Sequence, residues 1–122
     1  MNQQEIFDKV ATHLIAQGKQ SLADEPNGHV GICAYRGYHG NMCAAGCLIP
    51  DDEYKPEFEN KTWTFIARKI PSFSNAPDEI HDLIGSLQSA HDFKSSWKSP
   101  ETLKKALGAV AKRHGLSADV LN

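Results

Sequence analysis

The chain has 122 residues, the length of one domain, and its 13 Lys and Arg side chains are nearly balanced by 15 Asp and Glu. Balanced charge gives no field of one sign, so we expect neither nucleic acid nor an anionic membrane as a partner. The apolar runs are too short for a spanning helix, the first residues do not read as a signal peptide, and three cysteines cannot all pair. These features predict a single domain over 1–122 with free thiols, in the cytoplasm.

The first part of the chain reads as a helix followed by a loop. Apolar residues at three- and four-residue spacing predict an amphipathic helix over 3–16. Gly18 suits the left-handed conformation that ends such a helix. Polar and turn-forming residues then predict an exposed loop over 19–28.

A β-hairpin is predicted next, over 30–44. Residues 29–35 alternate with a period of two, which indicates a strand. The glycines and asparagine of 36–41 favour a tight reversal, and 41–44 would be the return strand. Because an isolated hairpin is marginal, this one should pack on helices. The side chains expected to make that contact are Cys33, Cys43, Cys47 and Ile49.

The remaining chain predicts a short apolar helix and three longer ones. The segment 43–49 has no polar side chain and favours a short buried helix. Further helices are expected from the Thr62 cap to Ile70, from Pro77 along an apolar stripe that ends at His91, and from the Ser99 cap to Gly115. The predicted fold class is α+β and mainly α, with four main helices and one short β-hairpin packed on them.

Four segments of the chain resemble a family of small uncharacterised bacterial and phage proteins. They are Cys-Ala-Tyr-Arg-Gly at 33–37, Cys-Ala-Ala-Gly-Cys-Leu-Ile-Pro-Asp at 43–51, Leu-Gln-Ser-Ala-His-Asp at 87–92 and Arg-His-Gly-Leu at 113–116. The resemblance covers nearly the whole length. It implies a phage or mobile-element source and brings no activity with it.

A cysteine nucleophile is one candidate chemistry. Cys43, at the start of the predicted short helix, would gain a lowered pKa from unpaired amides. His91 or His39 could act as its base, and Asp92 or Asp51 could orient the histidine. The alternative is that Cys43 is a small core residue and that His91 is a core histidine bonded to a backbone carbonyl or to a tyrosine.

A zinc site is a second candidate. Cys33, Cys43 and Cys47, together with His39, His29 or His91, would supply enough sulfur and nitrogen ligands. Their spacing argues against the site, because structural zinc ligands usually come in close pairs. We therefore expect no metal and no other cofactor.

The turn after the predicted strand is a third candidate, for binding a partner. Tyr35, Arg36, Tyr38 and His39 are of types enriched at binding hot spots. The alternative is that Tyr35 and Arg36 only fix the hairpin to the helices, through packing and a salt bridge to Asp51 or Asp52.

The leading hypothesis is a small cytoplasmic protein that binds a host protein, in an interaction or inhibitor role, through this turn. A cysteine-dependent hydrolase or transferase using Cys43 is the alternative, and a zinc-stabilised domain is the second alternative. The sequence leaves enzymatic activity uncertain and leans against it. No phosphate loop or nucleophile elbow is present.

Overall fold

The computed structural model describes residues 1–24 and 28–122. Four α-helices lie at Gln3–Gln17 (α1), Trp63–Ala67 (α2), Asp78–Asp92 (α3) and Pro100–Arg113 (α4). Two short strands, Leu22–Ala23 (β1) and Ile32–Cys33 (β2), form an antiparallel pair. Short 3₁₀ segments connect these elements at Tyr38–Gly40, Gly46–Leu48, Pro56–Phe58, Lys94–Trp97 and Asp119–Leu121. The predicted class, α+β and mainly α with four helices and one small hairpin, is confirmed.

The helix ends follow the capping signals in the sequence. Gly18 has φ 71° and ends α1 in the left-handed conformation. The Thr62 hydroxyl accepts a hydrogen bond from the Phe65 N–H at 3.2 Å at the start of α2, and the Ser99 hydroxyl accepts one from the Thr102 N–H at 3.1 Å at the start of α4. Each cap satisfies an amide that the helix itself leaves unpaired.

The core lies where α1 packs against α3 and α4, with α2 against α3. Each of the long helices presents one apolar stripe to it, as their 3.6-residue periodicity predicts. The buried members are Ile6, Phe7, Val10 and Leu14 of α1, Ile80, Leu83, Ile84 and Leu87 of α3, and Leu103, Leu107 and Val110 of α4. No helix among the described residues is long and apolar enough to cross a bilayer.

The hairpin pairs different residues from those predicted. Leu22 is opposite Cys33 and Ala23 is opposite Ile32, so the partner of β2 lies in the predicted loop before it. Between Arg36 and Met42 the described chain has a single isolated bridge, and 41–44 is not a strand. The predicted pairing over 30–44 was therefore wrong.

Side chains of α1 explain why 41–44 does not need a strand partner. The Met42 N–H donates to Gln17 Oε1 at 2.9 Å, and the Met42 carbonyl is 3.0 Å from both Gln17 Nε2 and His13 Nε2. These contacts satisfy the backbone of Met42 without a second strand. The segment is held against the helix instead.

Two further predicted elements are shorter in the structure. The apolar segment 43–49 forms a 3₁₀ turn at Gly46–Leu48 rather than an α-helix, although most of it is buried as expected. α2 ends at Ala67 instead of Ile70, while Ile70 is buried beyond its end. A 3₁₀ turn also occupies Lys94–Trp97 in the loop predicted between α3 and α4.

Candidate functional site

Cys33, His91 and Asp92 form a cluster where β2 meets the last turn of α3. The Cys33 sulfur, a ring nitrogen of His91 and a carboxylate oxygen of Asp92 all lie within 4.8 Å of one another. In residues 1–24 and 28–122 no other group of three potential metal ligands comes this close. His91 and Asp92 were expected to act with Cys43, but the cysteine that joins them is Cys33.

Both ring nitrogens of His91 have partners. Nε2 accepts a hydrogen bond from the Ser21 N–H at 2.9 Å, and Nδ1 lies 2.8 Å from Asp92 Oδ1. Since a backbone amide can only donate, Nε2 is unprotonated and Nδ1 carries the proton that it donates to Asp92. The ring is fully buried and packs edge-on against Trp97, with centroids 5.6 Å apart. It has no lone pair left for a thiol or a metal, so it serves to position Asp92.

The environment of the thiols works against a nucleophilic role. Burial raises the pKa of Cys43 to about 12, although the Gly46 N–H at 3.3 Å from its sulfur acts in the opposite direction. Burial likewise raises the pKa of Cys47 to about 12. For Cys33 desolvation and then the Asp92 carboxylate raise the pKa to about 11. All three are therefore protonated at neutral pH, whereas a nucleophile acts as the thiolate.

The structure does not assemble the predicted catalytic or zinc sets. Cys43 lies outside the cluster of His91 and Asp92 and is completely buried. Cys33, Cys43, Cys47 and His39 do not gather as a ligand set within the described ranges. The observed cluster also suits zinc poorly, because zinc needs a histidine lone pair that His91 does not have free.

Tyr35 is a core residue and not part of an exposed surface. It is 6% exposed, its hydroxyl donates to the Lys61 carbonyl at 2.6 Å, and desolvation raises its pKa. Its backbone N–H donates to Glu59 Oε1 at 2.9 Å. The expectation that Tyr35 contacts a partner is therefore corrected: the residue fixes β2 to the segment 59–61.

Arg36 also has a structural role. Its Nη1 pairs with Asp51 Oδ1 at 2.8 Å and its Nη2 donates to the Ile49 carbonyl at 2.8 Å. Its guanidinium stacks over the Tyr54 ring, 4.7 Å from the centroid. The alternative interpretation predicted a salt bridge from Arg36 to Asp51 or Asp52. The bridge to Asp51 is present, and it joins the turn to the segment 49–54.

Tyr38 and His39 are the two predicted partner-binding residues that are exposed. Tyr38 is 40% exposed, and its hydroxyl donates to the Asp24 carboxylate, a hydrogen bond that raises the pKa of the phenol. His39 has φ 59° and ψ 24°, the left-handed region. The Asn41 carbonyl accepts bonds from the Gly37 N–H at 2.8 Å and from the Ser21 hydroxyl at 3.1 Å, which fixes the base of the turn.

Val30 adds an apolar side chain to this exposed region. It is 72% exposed, and its neighbour Gly31 donates its N–H to Asp24 Oδ1 at 3.2 Å, the same carboxylate that holds Tyr38. We call Val30, Tyr38 and His39 the Tyr38 surface. The role of Asp24 was not predicted, and no sequence pattern marks it, because its two partners, Gly31 and Tyr38, are distant from it in the sequence.

A groove runs along β2 beside this surface. It consists of two adjoining clefts of about 480 and 490 Å³. Both are lined by Ile32, Cys33, Ala34, Asn60 and Lys61. Asp24 and Glu57 lie at one end, and His81, Gly85 and Asp92 lie at the other. We call this the β2 groove; it was not predicted from the sequence.

Comparisons with protein-family models, with curated proteins and with solved structures found no match to this chain. The function is therefore argued from the geometry of these residues.

Proposed function

We propose that this is a small cytoplasmic protein, of phage or mobile-element origin as the sequence resemblance implies, that acts by binding a host protein through the Tyr38 surface. The observation that carries the proposal is an exposed left-handed residue, His39, which is not a glycine. Free rather than paired cysteines support a reducing compartment.

His39 keeps its left-handed conformation because backbone hydrogen bonds close the turn around it, from the Gly37 N–H to the Asn41 carbonyl and from the Asn41 N–H to the Tyr38 carbonyl. A non-glycine residue in the left-handed region costs about 1 kcal/mol or more relative to glycine. The His39 ring makes no hydrogen bond to the described residues, and its ring centroid is 6.3 Å from that of Tyr38. Strain of this kind is concentrated at functional sites, so an exposed example favours a role in contact with another molecule.

The other members of the Tyr38 surface are suited to binding. Asp24 restrains the Tyr38 side chain through its hydroxyl, so less side-chain freedom is lost when a partner binds. Val30 places an exposed apolar group on a segment that the same carboxylate holds. Tyrosine is one of the residue types enriched at binding hot spots, so Tyr38 is the member of this surface that should contribute most to binding.

The cysteines and His91 give less support to an enzymatic function. The thiols of Cys33, Cys43 and Cys47 have raised pKa values, and both nitrogens of His91 are occupied. A cysteine mechanism would need a thiolate and a histidine free to accept its proton. Neither is present at His91, because its Nε2 is already bonded to the Ser21 N–H and the Cys33 thiol beside it is protonated.

The test compares a Tyr38→Ala/His39→Gly variant with wild type and with Phe65→Ala. Phe65 is a matched control, since it is 39% exposed but lies on α2. Glycine at position 39 relieves the left-handed strain, so loss of binding by the variant would not reflect misfolding. Thermal unfolding should show that all three proteins fold.

A host protein captured by tagged wild-type protein from bacterial lysate is identified by mass spectrometry, purified and titrated by calorimetry. We expect the double variant to bind at least about ten-fold more weakly, as for loss of hot-spot side chains, and Phe65→Ala to bind like wild type. Equal affinity of the double variant, or no protein captured, would overturn the proposal.

A further inference from the structure

We propose that the partner contributes an extended basic segment that lies in the β2 groove, pairs with the outer backbone edge of β2 at Cys33, and passes over Gly85. The inference rests on the proposed function, because Asp24 at one end of the groove is the residue that holds Tyr38. It adds the conformation and the charge of the partner segment.

The register of the two strands shows which edge of β2 is open. The Ala34 N–H donates to the Ser21 carbonyl at 2.9 Å, so Ala34 directs its backbone groups towards β1. Backbone groups alternate in direction along a strand, and those of Cys33 therefore point away from β1, on the side of the groove. An extended segment added there would form the third strand.

Glu59 already covers this backbone edge just after β2, at Tyr35 and Arg36. Its two carboxylate oxygens accept the N–H groups of Tyr35 at 2.9 Å and Arg36 at 3.1 Å, so a side chain takes the place of a strand partner. Covering an edge in this way prevents uncontrolled pairing. At Cys33 the edge borders the β2 groove instead. The backbone groups of Cys33 could therefore pair with about one residue of an added strand.

The charges along the groove favour a basic occupant. Four carboxylates, those of Asp24, Glu57, Glu59 and Asp92, face the single ammonium of Lys61 among the described lining residues. Asp92 is held in place by His91 Nδ1 at 2.8 Å and by Gln88 Nε2 at 3.2 Å, and its side chain is still 44% exposed. The Asp92 carboxylate is therefore preorganised to form an ion pair with a lysine or arginine of the partner.

Gly85 explains how a backbone could pass across α3. It lies inside the helix, where glycine is less stable than alanine, yet a Cβ at this position would have no atom within 4 Å. The fold itself therefore does not require glycine here. Gly85 lines both the β2 groove and a neighbouring cleft of about 660 Å³ between α3 and α4, so a missing side chain keeps the passage between them open.

The probe is a fluorescein-labelled octapeptide of alternating lysine and valine, with a glutamate–valine peptide and an N-methylated lysine–valine peptide as controls. Fluorescence anisotropy with the full chain should show binding of the first peptide only, because the second has the wrong charge and the third cannot pair as a strand. In a ¹H–¹⁵N spectrum the Cys33 amide should shift on binding. Equal binding of all three peptides, or an unshifted Cys33 amide, would contradict the inference.

Gly85→Ala and Gly108→Ala form a matched pair of variants. Gly108 lies inside α4, does not line the β2 groove, and a Cβ there would meet only Leu121 at an ordinary 3.7 Å. Both changes should raise Tm by about 3 °C, since alanine favours the helix, but only Gly85→Ala should weaken peptide binding. Asp92→Asn should weaken it about five-fold or more through loss of the charge pair. If Gly85→Ala and Asp92→Asn both bind like wild type, the inference is wrong.

The two proposals fail in different ways. If the captured host protein depends on Tyr38 and His39 but neither the peptide nor the groove variants have any effect, the inference is wrong and the proposed function stands. If the peptide binds the groove while no host protein depends on Tyr38 and His39, the proposed function fails and the groove remains a peptide site.

Discussion

The backbone N–H of Ser21 donates a hydrogen bond of 2.9 Å to Nε2 of His91, and both residues are completely buried. Ser21 lies just before β1, and His91 lies in the last turn of α3. The Ser21 carbonyl accepts the Ala34 N–H at 2.9 Å, so the same residue is also bonded to the chain just after β2. This bond therefore attaches the two-stranded sheet to the helical core.

We predict that His91→Ala destabilises the protein by about 3–5 kcal/mol. The change leaves the buried Ser21 N–H without an acceptor and opens a cavity beside Trp97, and both effects reduce the free energy of unfolding. Urea unfolding followed by circular dichroism measures the difference. Asp92→Asn, which keeps an acceptor for His91 Nδ1, should cost about 1 kcal/mol or less. A His91→Ala variant within 1 kcal/mol of wild type would contradict this account.

The helices could be predicted because their signals are local. Apolar periodicity and the caps at Thr62 and Ser99 lie within or beside the segments that they define, and α1, α3 and α4 were found close to their expected bounds. The hairpin was misplaced because its register depends on distant side chains. Gln17 satisfies the backbone of Met42, and His91 fixes Ser21. Neither contact can be predicted from the sequence of the strands themselves.

The candidate site was only partly predictable for the same reason. The burial of His91 could be predicted because it continues the apolar stripe of α3, but its partners are the Ser21 N–H and Asp92 and not the backbone carbonyl or tyrosine that the core interpretation expected. Which cysteine joins it depends on the β1–β2 register, and that register brings Cys33 rather than Cys43 to Asp92. The environments of the two tyrosines likewise depend on contacts between distant residues. Tyr38 bonds to Asp24 and Tyr35 bonds to the Lys61 carbonyl, and no local sequence pattern predicts either contact.

Gly46→Ala should destabilise the fold by about 3 kcal/mol or more, since the backbone around Gly46 cannot move away easily. A Cβ at this position would overlap the Tyr35 carbonyl group and lie 2.9 Å from its carbon atom. Gly85→Ala is the control, because its Cβ would meet nothing within 4 Å and should stabilise α3 by about 0.5–1 kcal/mol. Urea unfolding of both variants measures these opposite effects. Similar stabilities for the two would show that the close approach at Gly46 is not limiting.

We expect iodoacetamide at neutral pH to modify Cys33 first and to leave Cys43 unmodified while the protein is folded. Cys33 borders the β2 groove, whereas Cys43 is completely buried. Its thiol pKa of about 11 should still keep Cys33 slower than a free cysteine. Tandem mass spectrometry of quenched samples gives the rate at each position, and unfolded protein serves as the reference. Rapid alkylation of Cys43 in the folded state would instead support a reactive thiol.

The stability of the protein should fall in alkaline solution because of its buried thiols. The pKa of Cys43 is about 12 in the folded chain against 9.0 for a free thiol, so the native state holds this proton more tightly. The stabilisation is fully present below pH 9 and is lost as the pH rises towards 12. Between about pH 8 and 10, wild type should lose about 1.4 kcal/mol more than Cys43→Ala, which has no thiol to titrate. Burial, and to a lesser degree the charge of Cys43, raises the pKa of Tyr35 and Tyr54, so both tyrosines also add to the alkaline slope of the two proteins. Urea unfolding at a series of pH values measures the two slopes, and parallel slopes would mean that the Cys43 thiol ionises without cost in the folded chain.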